Sequence, residues 1–460
     1  MPYVQNRAVL TSSGDQGLRR LALDIVEDAL AAADPAPAVR RTVGLMGPTL
    51  RAGERSFDLS SGQRVFVVGA GKATLSMALA LEEVLGPAIY RGLISVKTGH
   101  EGNLSRIEVI SAGHPVPDEG SLEAGRLAVE MLQEVRPGDV VIACFTGGSS
   151  ALFVSPVEGI SLAHKAETNR RLLASGANII EINNVRKHLS TVKGGRLVRD
   201  LPAGTNVITL AVSDVIGDHL DYLTDLSVPD RSSFADARAT LDKYGLWEGL
   251  PQSVTDHLRA APAGGETVQA DELSHLDRTE ILLIKADAAC LAAQAAARRR
   301  GWRALVLSTE FEGESKDLAR HLVAIAKRAQ TEGSPIEPPC VLIGGGETTV
   351  TLAGGAGRGG PNQEFAVQSA LELAGLEGIV ALAIDTDGTD GPTELAGGIA
   401  DGTTQGRAAA AGIDLEKALT NHDVSPALEA IEHQVLTGAT GTNVNDLKIL
   451  VVVPLYQEGV

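Results

Sequence analysis

The chain has 460 residues and a formal net charge of −18, and its 51 glycines far outnumber its 2 Trp, 5 Tyr and 7 Phe. That acidity excludes a nucleic-acid binder, which needs positive charge against phosphate, and 3 widely spaced cysteines give no disulfide framework or C-x-x-C metal pattern. No apolar run is long enough to span a bilayer, and residues up to Asp15 lack a secretory apolar core, so the expectation is a cytoplasmic protein of roughly two to three domain-sized units.

Helical spacing opens the chain, with Leu18, Leu21, Ile25, Ala29 and Ala32 recurring at three- and four-residue steps before Pro35 and Pro37. A short apolar run over 64–68 then breaks into Gly69-Ala-Gly71-Lys72, ahead of an Ala/Leu/Met-rich helical stretch to Leu85. The pattern repeats: the run 93–96 leads to Thr98-Gly-His100, 139–144 to Thr146-Gly-Gly-Ser-Ser150, and 206–212 to Ser213-Asp214. Continuous apolar strands alternating with helices predict a parallel sheet covered on both faces. The stretch 230–276, mixed in Pro, Gly and acidic residues, reads as helices and a connecting segment. Strand-like runs resume at 281–284, 303–307, 340–343, 378–384 and 447–453, enough for a second sheet. The expected fold class is α/β, with two domains at 1–265 and 266–460 built on mainly parallel sheets, the first Rossmann-like.

In open parallel sheets ligands bind at the carboxyl ends of the strands. Gly69-Ala-Gly71-Lys72 puts two glycines and a cation there, suited to an anion, although a tight strand–helix turn with a solvated lysine would look the same. It is neither a Walker A loop nor a G-x-G-x-x-G dinucleotide fingerprint, since Thr74 stands where the third glycine should fall. Gly147, Gly148 and Ser149 form a second such turn, readable also as an N-capped helix start. Arg186, Lys187, His188, Lys193 and Arg196 concentrate cationic or titratable groups in an acidic chain, pointing to an anionic ligand or to a solvated helix face.

Further along, Gly344-Gly-Gly-Glu347 follows a strand, and Arg358 and Asn362 precede a helix. Asp385, Asp387 and Asp390 crowd six residues at another strand end, where they can ligate Mg²⁺, act as a base toward a hydroxyl, or simply form an Asp-Gly turn. Thr442-Asn-Val-Asn445-Asp446 offers neutral donors and acceptors before the last strand. Anion turns, a basic cluster and an acidic cluster fit phosphoryl transfer. A nicotinamide oxidoreductase with Lys72 or His114 as proton donor is the second class, and a non-catalytic binding protein the third.

Together and in order, these motifs resemble the class II glycerate 2-kinases. Gly69-Ala-Gly-Lys-Ala73, Gly113-His-Pro-Val-Pro-Asp118, Thr146-Gly-Gly-Ser-Ser150, Asn184-Val-Arg-Lys-His188, Lys193-Gly-Gly-Arg196 and Ser213-Asp-Val215 are similar to the family's amino-terminal domain. Gly345-Gly-Glu-Thr-Thr349, Gly359-Gly-Pro-Asn-Gln-Glu364, the 385–391 segment and 442–446 resemble its carboxy-terminal MOFRL region, at about 340–454 here. The resemblance implies ATP- and Mg²⁺-dependent phosphorylation of D-glycerate to 2-phosphoglycerate, in a cleft between two α/β domains. Its active-site lysine falls on Lys72 and its arginine on Arg358. The expected catalytic residues are then Lys72, Arg358, Asp387 and Asp390. Gly71, Gly147, Gly148, Ser149, Arg186, Lys193, Glu347, Asn362 and Asn445 are expected at substrate and phosphate, and Asp214, Asp385 and Asp387 at the metal.

Some relatives bear the label hydroxypyruvate reductase, so an NAD(P)H-dependent reductase is the rival, and a kinase of another sugar acid the variant. The partners expected are a small hydroxy acid and ATP, with no nucleic acid or membrane; a homodimer is compatible with the sequence. Two stretches depart from the family: Thr224-Asp-Leu-Ser227 replaces a Ser-Gly-Pro-Thr loop, and Lys285-Ala-Asp287 stands where an Asn is common. If the first lines the acceptor pocket, its added carboxylate disfavours a second anionic group.

Overall fold

The computed structural model describes residues 2–215, 217–218, 226–352 and 357–455. The chain forms two compact units, Pro35–Ile284 and Met1–Asp34 with Lys285–Val460.

In the first unit, β4 (Val65–Ala70), β5 (Ile89–Lys97), β6 (Ile107–Ala112), β7 (Val140–Phe145), β8 (Asn206–Val212) and β9 (Asp277–Ile284) form one sheet in the order β6-β5-β4-β7-β8-β9. Every neighbouring pair is parallel, so all carboxyl ends lie along one edge. The chain starts at β4, moves outward through β5 and β6, then returns to the other side of β4 at β7. This is the doubly wound order, and its direction reverses between β4 and β7. Both of those strands are wholly buried, which is why they read as unbroken apolar runs. Helices Leu162–Ala174, Ile179–His188, Phe234–Lys243 and Gln252–Ala260 build a satellite core around Leu172, Val185, Phe234 and Leu258. A small antiparallel sheet of β1 (Val43–Met46), β2 (Thr49–Ala52) and β3 (Arg55–Asp58) has no counterpart in the sequence reading.

In the second unit, β10 (Arg303–Phe311), β11 (Cys340–Gly346), β12 (Ile379–Asp385), β13 (Gly397–Asp401), β14 (Gln434–Val435) and β15 (Asp446–Val452) follow the order β10-β11-β15-β12-β13-β14. The α/β class holds, but here only β10 and β11 pair in parallel; β15 runs antiparallel between β11 and β12. Helices Ser315–Glu332 and Pro361–Leu373 pack together beside this sheet, and the opening helix Gln16–Ala33 packs on Ala288–Arg299.

The unit boundaries differ from those expected at 265/266. The run 281–284, expected to open the second sheet, is the end of β9 and closes the first sheet beside β8. Residues up to Asp34 join the carboxy-terminal unit because their polar groups are satisfied there. Asn6 Nδ2 donates to Gln434 O at 2.7 Å. Arg19, fully buried, donates from Nε to Asp401 Oδ2 at 2.7 Å and from Nη1 to Leu10 O at 3.1 Å, and its Nη2 meets His433 Nε2 at 3.2 Å.

Burial first, then the Arg19 charge, lowers the His433 pKa to about 3, so the ring sits neutral and accepts from Arg19. Burial opposes ionisation of Asp401, yet Arg19 and the Thr403 hydrogen bonds outweigh it and lower its pKa to about 2. With both folded-state values depressed, the unfolded chain binds the extra protons. Stability therefore falls as pH drops, first through His433 below about 6.5 and then through Asp401 below about 4. His433→Gln should flatten the decline in melting temperature between about pH 6.5 and 4.5, where Asp401 contributes little; a decline as steep as wild type over that window would contradict the assignment.

Candidate functional site

Turns after β4 and β7 meet at the reversal point of the parallel sheet. The Lys72 amide donates to Gly147 O at 2.9 Å, and the Ala73 amide to Thr146 Oγ1 at 3.2 Å. Gly71 has φ +136°, and a Cβ there would stand 2.1 Å from Thr146 Oγ1, so only glycine permits the two turns to interlock. The expectation that the first glycine turn presents its amides to an anion is thereby corrected: the Lys72 and Ala73 amides are spent on the second turn.

The second turn keeps its donors. Among the described residues the amides of Gly147 and Gly148 have no hydrogen-bond partner, and neither has the hydroxyl of Ser149, which is only 4% exposed. The half-buried Lys72 stands beside them: its Cγ is 3.4 Å from where a Gly148 Cβ would lie. Two open amides and a hydroxyl, beside the stem of Lys72, compose a receptor for an anionic oxygen. Asp214, at the end of β8, lies on the same sheet edge.

The predicted basic cluster is mostly internal. Lys187 pairs with Asp230 at 2.6 Å, both buried, and the buried Arg196 donates to the carbonyls of Lys187 and Glu266 at 3.1 and 3.2 Å. Arg186 Nε donates to Asn169 Oδ1 at 3.1 Å. Lys193 reaches the anion turn from behind, donating to Ser150 Oγ at 2.9 Å while fully buried. A solvated helix face would have left these groups exposed; they brace the segment instead. Of the departing loop, Thr224 and Asp225 lie outside the described residues. Leu226 is in the core, and Ser227 bonds Thr209 Oγ1 at 3.1 Å in the interior.

In the other unit the expected residues gather along one edge of the mixed sheet, because β15 runs opposite to β11 and β12. Gly346 and Asp385, at the ends of β11 and β12, both face Asp446 at the start of β15. Glu347 is exposed just beyond β11, and Asn445, with φ +65°, precedes β15. Asp385 Oδ1 accepts the Asp387 amide at 3.0 Å, and Asp387 Oδ1 accepts the Thr389 amide and hydroxyl at 2.7 and 2.8 Å. Among the described residues no three His, Cys, Asp or Glu side chains converge to hold a metal. The hard oxygen pair Asp385 and Asp387 suits Mg²⁺, which takes one or two carboxylates plus phosphate and water oxygens.

Asp390 is differently placed. It is 1% exposed, with Oδ1 accepting the Asn362 amide and Nδ2 at 3.0 and 3.1 Å, and Oδ2 accepting the Gln363 amide and Nε2 at 2.9 and 3.0 Å. Asn362 Nδ2 also reaches Asp446 Oδ1 at 2.6 Å, and Asp446 Oδ2 accepts Lys448 Nζ at 2.8 Å and Thr348 Oγ1 at 3.1 Å. Asp390 and Asn362, expected at the reacting groups, thus spend these contacts joining the helix start to the sheet edge. Asp446, Thr348 and Lys448 are absent from the expected site. The available signal was a lysine inside the apolar run 447–453, which cannot be buried without a partner. Arg358 pairs with Glu429 on a half-exposed surface, its amide donating to Asp423 Oδ1 at 2.9 Å.

Burial raises the Asp390 pKa to about 7; Asn362 and Gln363 pull it down and the Asp446 charge pushes it up. Asp390→Asn would turn an NH₂ toward two of the four N–H donors. It should cost about 1–3 kcal/mol in a denaturant melt and leave Mg²⁺ affinity within a factor of a few; a tenfold loss of Mg²⁺ affinity would make Asp390 a ligand instead.

Residues 21–259 match a family described as a domain of unknown function, DUF4147, and residues 340–446 match the MOFRL family. A glycerate 2-kinase of Pyrococcus horikoshii is 41% identical, over 95% of this chain and 97% of that protein. A protein of Agrobacterium vitis that carries the provisional name hydroxypyruvate reductase is 38% identical, over 98% of both. The crystal structure of a glycerate kinase from Thermotoga maritima superposes with a TM-score of 0.79 at 38% identity, over 95% of this chain and all of that one. The chain belongs to the class II glycerate 2-kinase family.

Proposed function

We propose that the protein is an ATP-dependent phosphotransferase that phosphorylates D-glycerate at its 2-hydroxyl, giving 2-phosphoglycerate. The observation that carries this reading beyond family membership is the pair of open amides at Gly147 and Gly148, with Ser149 and Lys72, at the reversal point of the parallel sheet. Phosphoryl transfer leaves little covalent work to the protein; holding and neutralising charge accounts for most of the catalysis. Lys72 would meet the charge of the transferring phosphoryl group or of the substrate carboxylate, with the two amides fixing the oxygens. Arg358, the position matching the family's arginine, is a further candidate for meeting ligand charge, and would have to release Glu429 to do so. Asp385 and Asp387 would hold Mg²⁺, which supplies charge neutralisation at the phosphate oxygens; Asp214, in the amino-terminal unit, is a separate candidate for metal binding. Asp387 is also a candidate for accepting the acceptor hydroxyl's proton.

The reductase reading draws support from the Agrobacterium vitis name and from the doubly wound strand order. Against it stands the first turn. In dinucleotide folds that turn offers amides to a pyrophosphate, whereas here the Lys72 and Ala73 amides are bonded to Gly147 and Thr146. Among the described residues no helix is long and apolar enough to cross a membrane. A cytoplasmic enzyme, as a monomer or homodimer, is the accompanying proposal.

The test is ADP release by purified protein given ATP, Mg²⁺ and D-glycerate, with the product's phosphate position read by ³¹P NMR. Turnover is expected there and not with hydroxypyruvate and NADH or NADPH; the reverse pattern would replace the kinase by the reductase. ADP release only on a longer sugar acid would keep the chemistry and change the substrate. Lys72→Ala should lower turnover by about 10²-fold or more in a folded variant, and a loss of only a few-fold would remove Lys72 from the reacting charge.

A further inference from the structure

We infer that Glu364 is a positioning residue for Arg358: through His422 it fixes the segment 421–425, which in turn holds the Arg358 backbone. The inference rests on the charge-meeting role proposed for Arg358 above. It adds two buried residues, Glu364 and His422, that the phosphoryl-transfer reading leaves unused.

The pair lies within the carboxy-terminal unit, Glu364 at 1% and His422 at 5% exposed. His422 Nδ1 donates to Glu364 Oε1 at 2.8 Å, while Glu364 Oε2 is buried without a hydrogen-bond partner. Burying a carboxylate with one oxygen unmet is costly. Burial accordingly raises the Glu364 pKa, with His422 and Lys316 pulling it down and Glu314 pushing it up. Packing alone would be served better by an apolar side chain of similar volume. His422 is itself held at φ +53°, a left-handed conformation that a non-glycine residue keeps only where its surroundings fix it. A costly side chain and a strained backbone thus meet in one hydrogen bond, as expected of a contact that maintains a particular geometry.

That geometry ends on Arg358. The Gly357 amide donates to Asn421 O at 3.1 Å, the Arg358 amide to Asp423 Oδ1 at 2.9 Å, and the Ser425 amide to Arg358 O at 2.9 Å. Both polar backbone groups of Arg358 are therefore bonded to the segment that carries His422. From the other side, Ser425 Oγ donates to Gln363 Oε1, so the consecutive residues Gln363 and Glu364 grip the same segment at two points. Their helix start is anchored in turn, because the Asn362 and Gln363 amides donate to Asp390. The Arg358 side chain, by contrast, is half exposed and meets Glu429 in the helix Val424–Ala430, which leaves the same segment. With the backbone fixed, release from Glu429 needs side-chain rotation alone, without the ordering cost of a moving loop.

The test uses Glu364→Leu, which removes the acceptor, Glu364→Gln, which keeps a carbonyl oxygen for His422 Nδ1–H, and Arg358→Ala. With ATP, Mg²⁺ and D-glycerate, Glu364→Leu should lower kcat/KM by about tenfold or more, and Glu364→Gln should stay within about threefold of wild type. In the Arg358→Ala background, Glu364→Leu should cost at most about twofold further, because a residue acting through Arg358 loses its effect once the guanidinium is gone. A purely structural role would lower both backgrounds alike. Independently of turnover, trypsin cuts after Arg358. The initial rate of that cut should rise by about tenfold in Glu364→Leu but not in Glu364→Gln, with cuts in Pro35–Ile284 unchanged. The inference is overturned if Glu364→Leu slows both backgrounds equally, if the leucine and glutamine variants are equally impaired, if Arg358→Ala is as active as wild type, or if the Arg358 cut is no faster in Glu364→Leu. Wild type that turns over no D-glycerate would defeat the kinase reading, and the tryptic comparison would still decide whether Glu364 fixes Arg358. Should Glu364→Leu not fold, Glu364→Met takes its place with the same expectations.

Discussion

The interlock of two backbone turns at the reversal point of the parallel sheet governs the amino-terminal site. Gly71 is driven against Thr146 so closely that no side chain fits, and the amides that follow it are used to hold the β7 turn in place. The first turn thus spends its Lys72 and Ala73 amides, and the other keeps two amides open. A preorganised donor pair is worth most when it need not rearrange on binding. Here the rigidity comes from backbone bonds between neighbouring strands, with the buried Lys193 bracing Ser150 from beneath.

The carboxy-terminal unit solves a related problem with side chains. Its sheet edge brings Asp390, Asn362, Asp446, Thr348 and Lys448 into one buried network. Burial raises the Asp390 pKa, and the nearby Asp446 charge adds to that rise. The network is tolerable because N–H donors face the Asp390 oxygens and an ammonium group faces Asp446. The outcome is a fixed edge from which Asp385, Asp387 and Asn445 project their backbone turns.

Much of the first sheet was legible because β4, β7 and β8 are buried on both faces, leaving continuous apolar runs that end in glycine-rich turns. The same property hid the direction of the second sheet. β11, β12 and β15 are also buried along nearly their whole length, so no polar alternation reveals that β15 runs antiparallel. The β1–β3 sheet escaped notice because each of its strands has four residues and a largely exposed or mixed pattern. In the site, the positions of Lys72, Gly147 and Gly148 could be read from spacing, whereas the spending of the first turn's amides could not. That depends on a contact between segments some seventy residues apart. Likewise the aspartate cluster was visible as charge, but which of its oxygens face a helix start is decided by tertiary packing.

The buried Arg19 has a consequence for how the chain is made. Its partner Asp401 lies 382 residues further along, and His433 further still. During synthesis the helix Gln16–Ala33 leaves the ribosome well before Asp401 and His433 do. The unit Pro35–Ile284 has its strands complete long before then and can collapse on its own. The helix can pack on Ala288–Arg299 once that helix appears, but Arg19 gains Asp401 and His433 only with the later segments. Closure of the loop between Arg19 and its partners is therefore a late, entropically costly step in completing the unit.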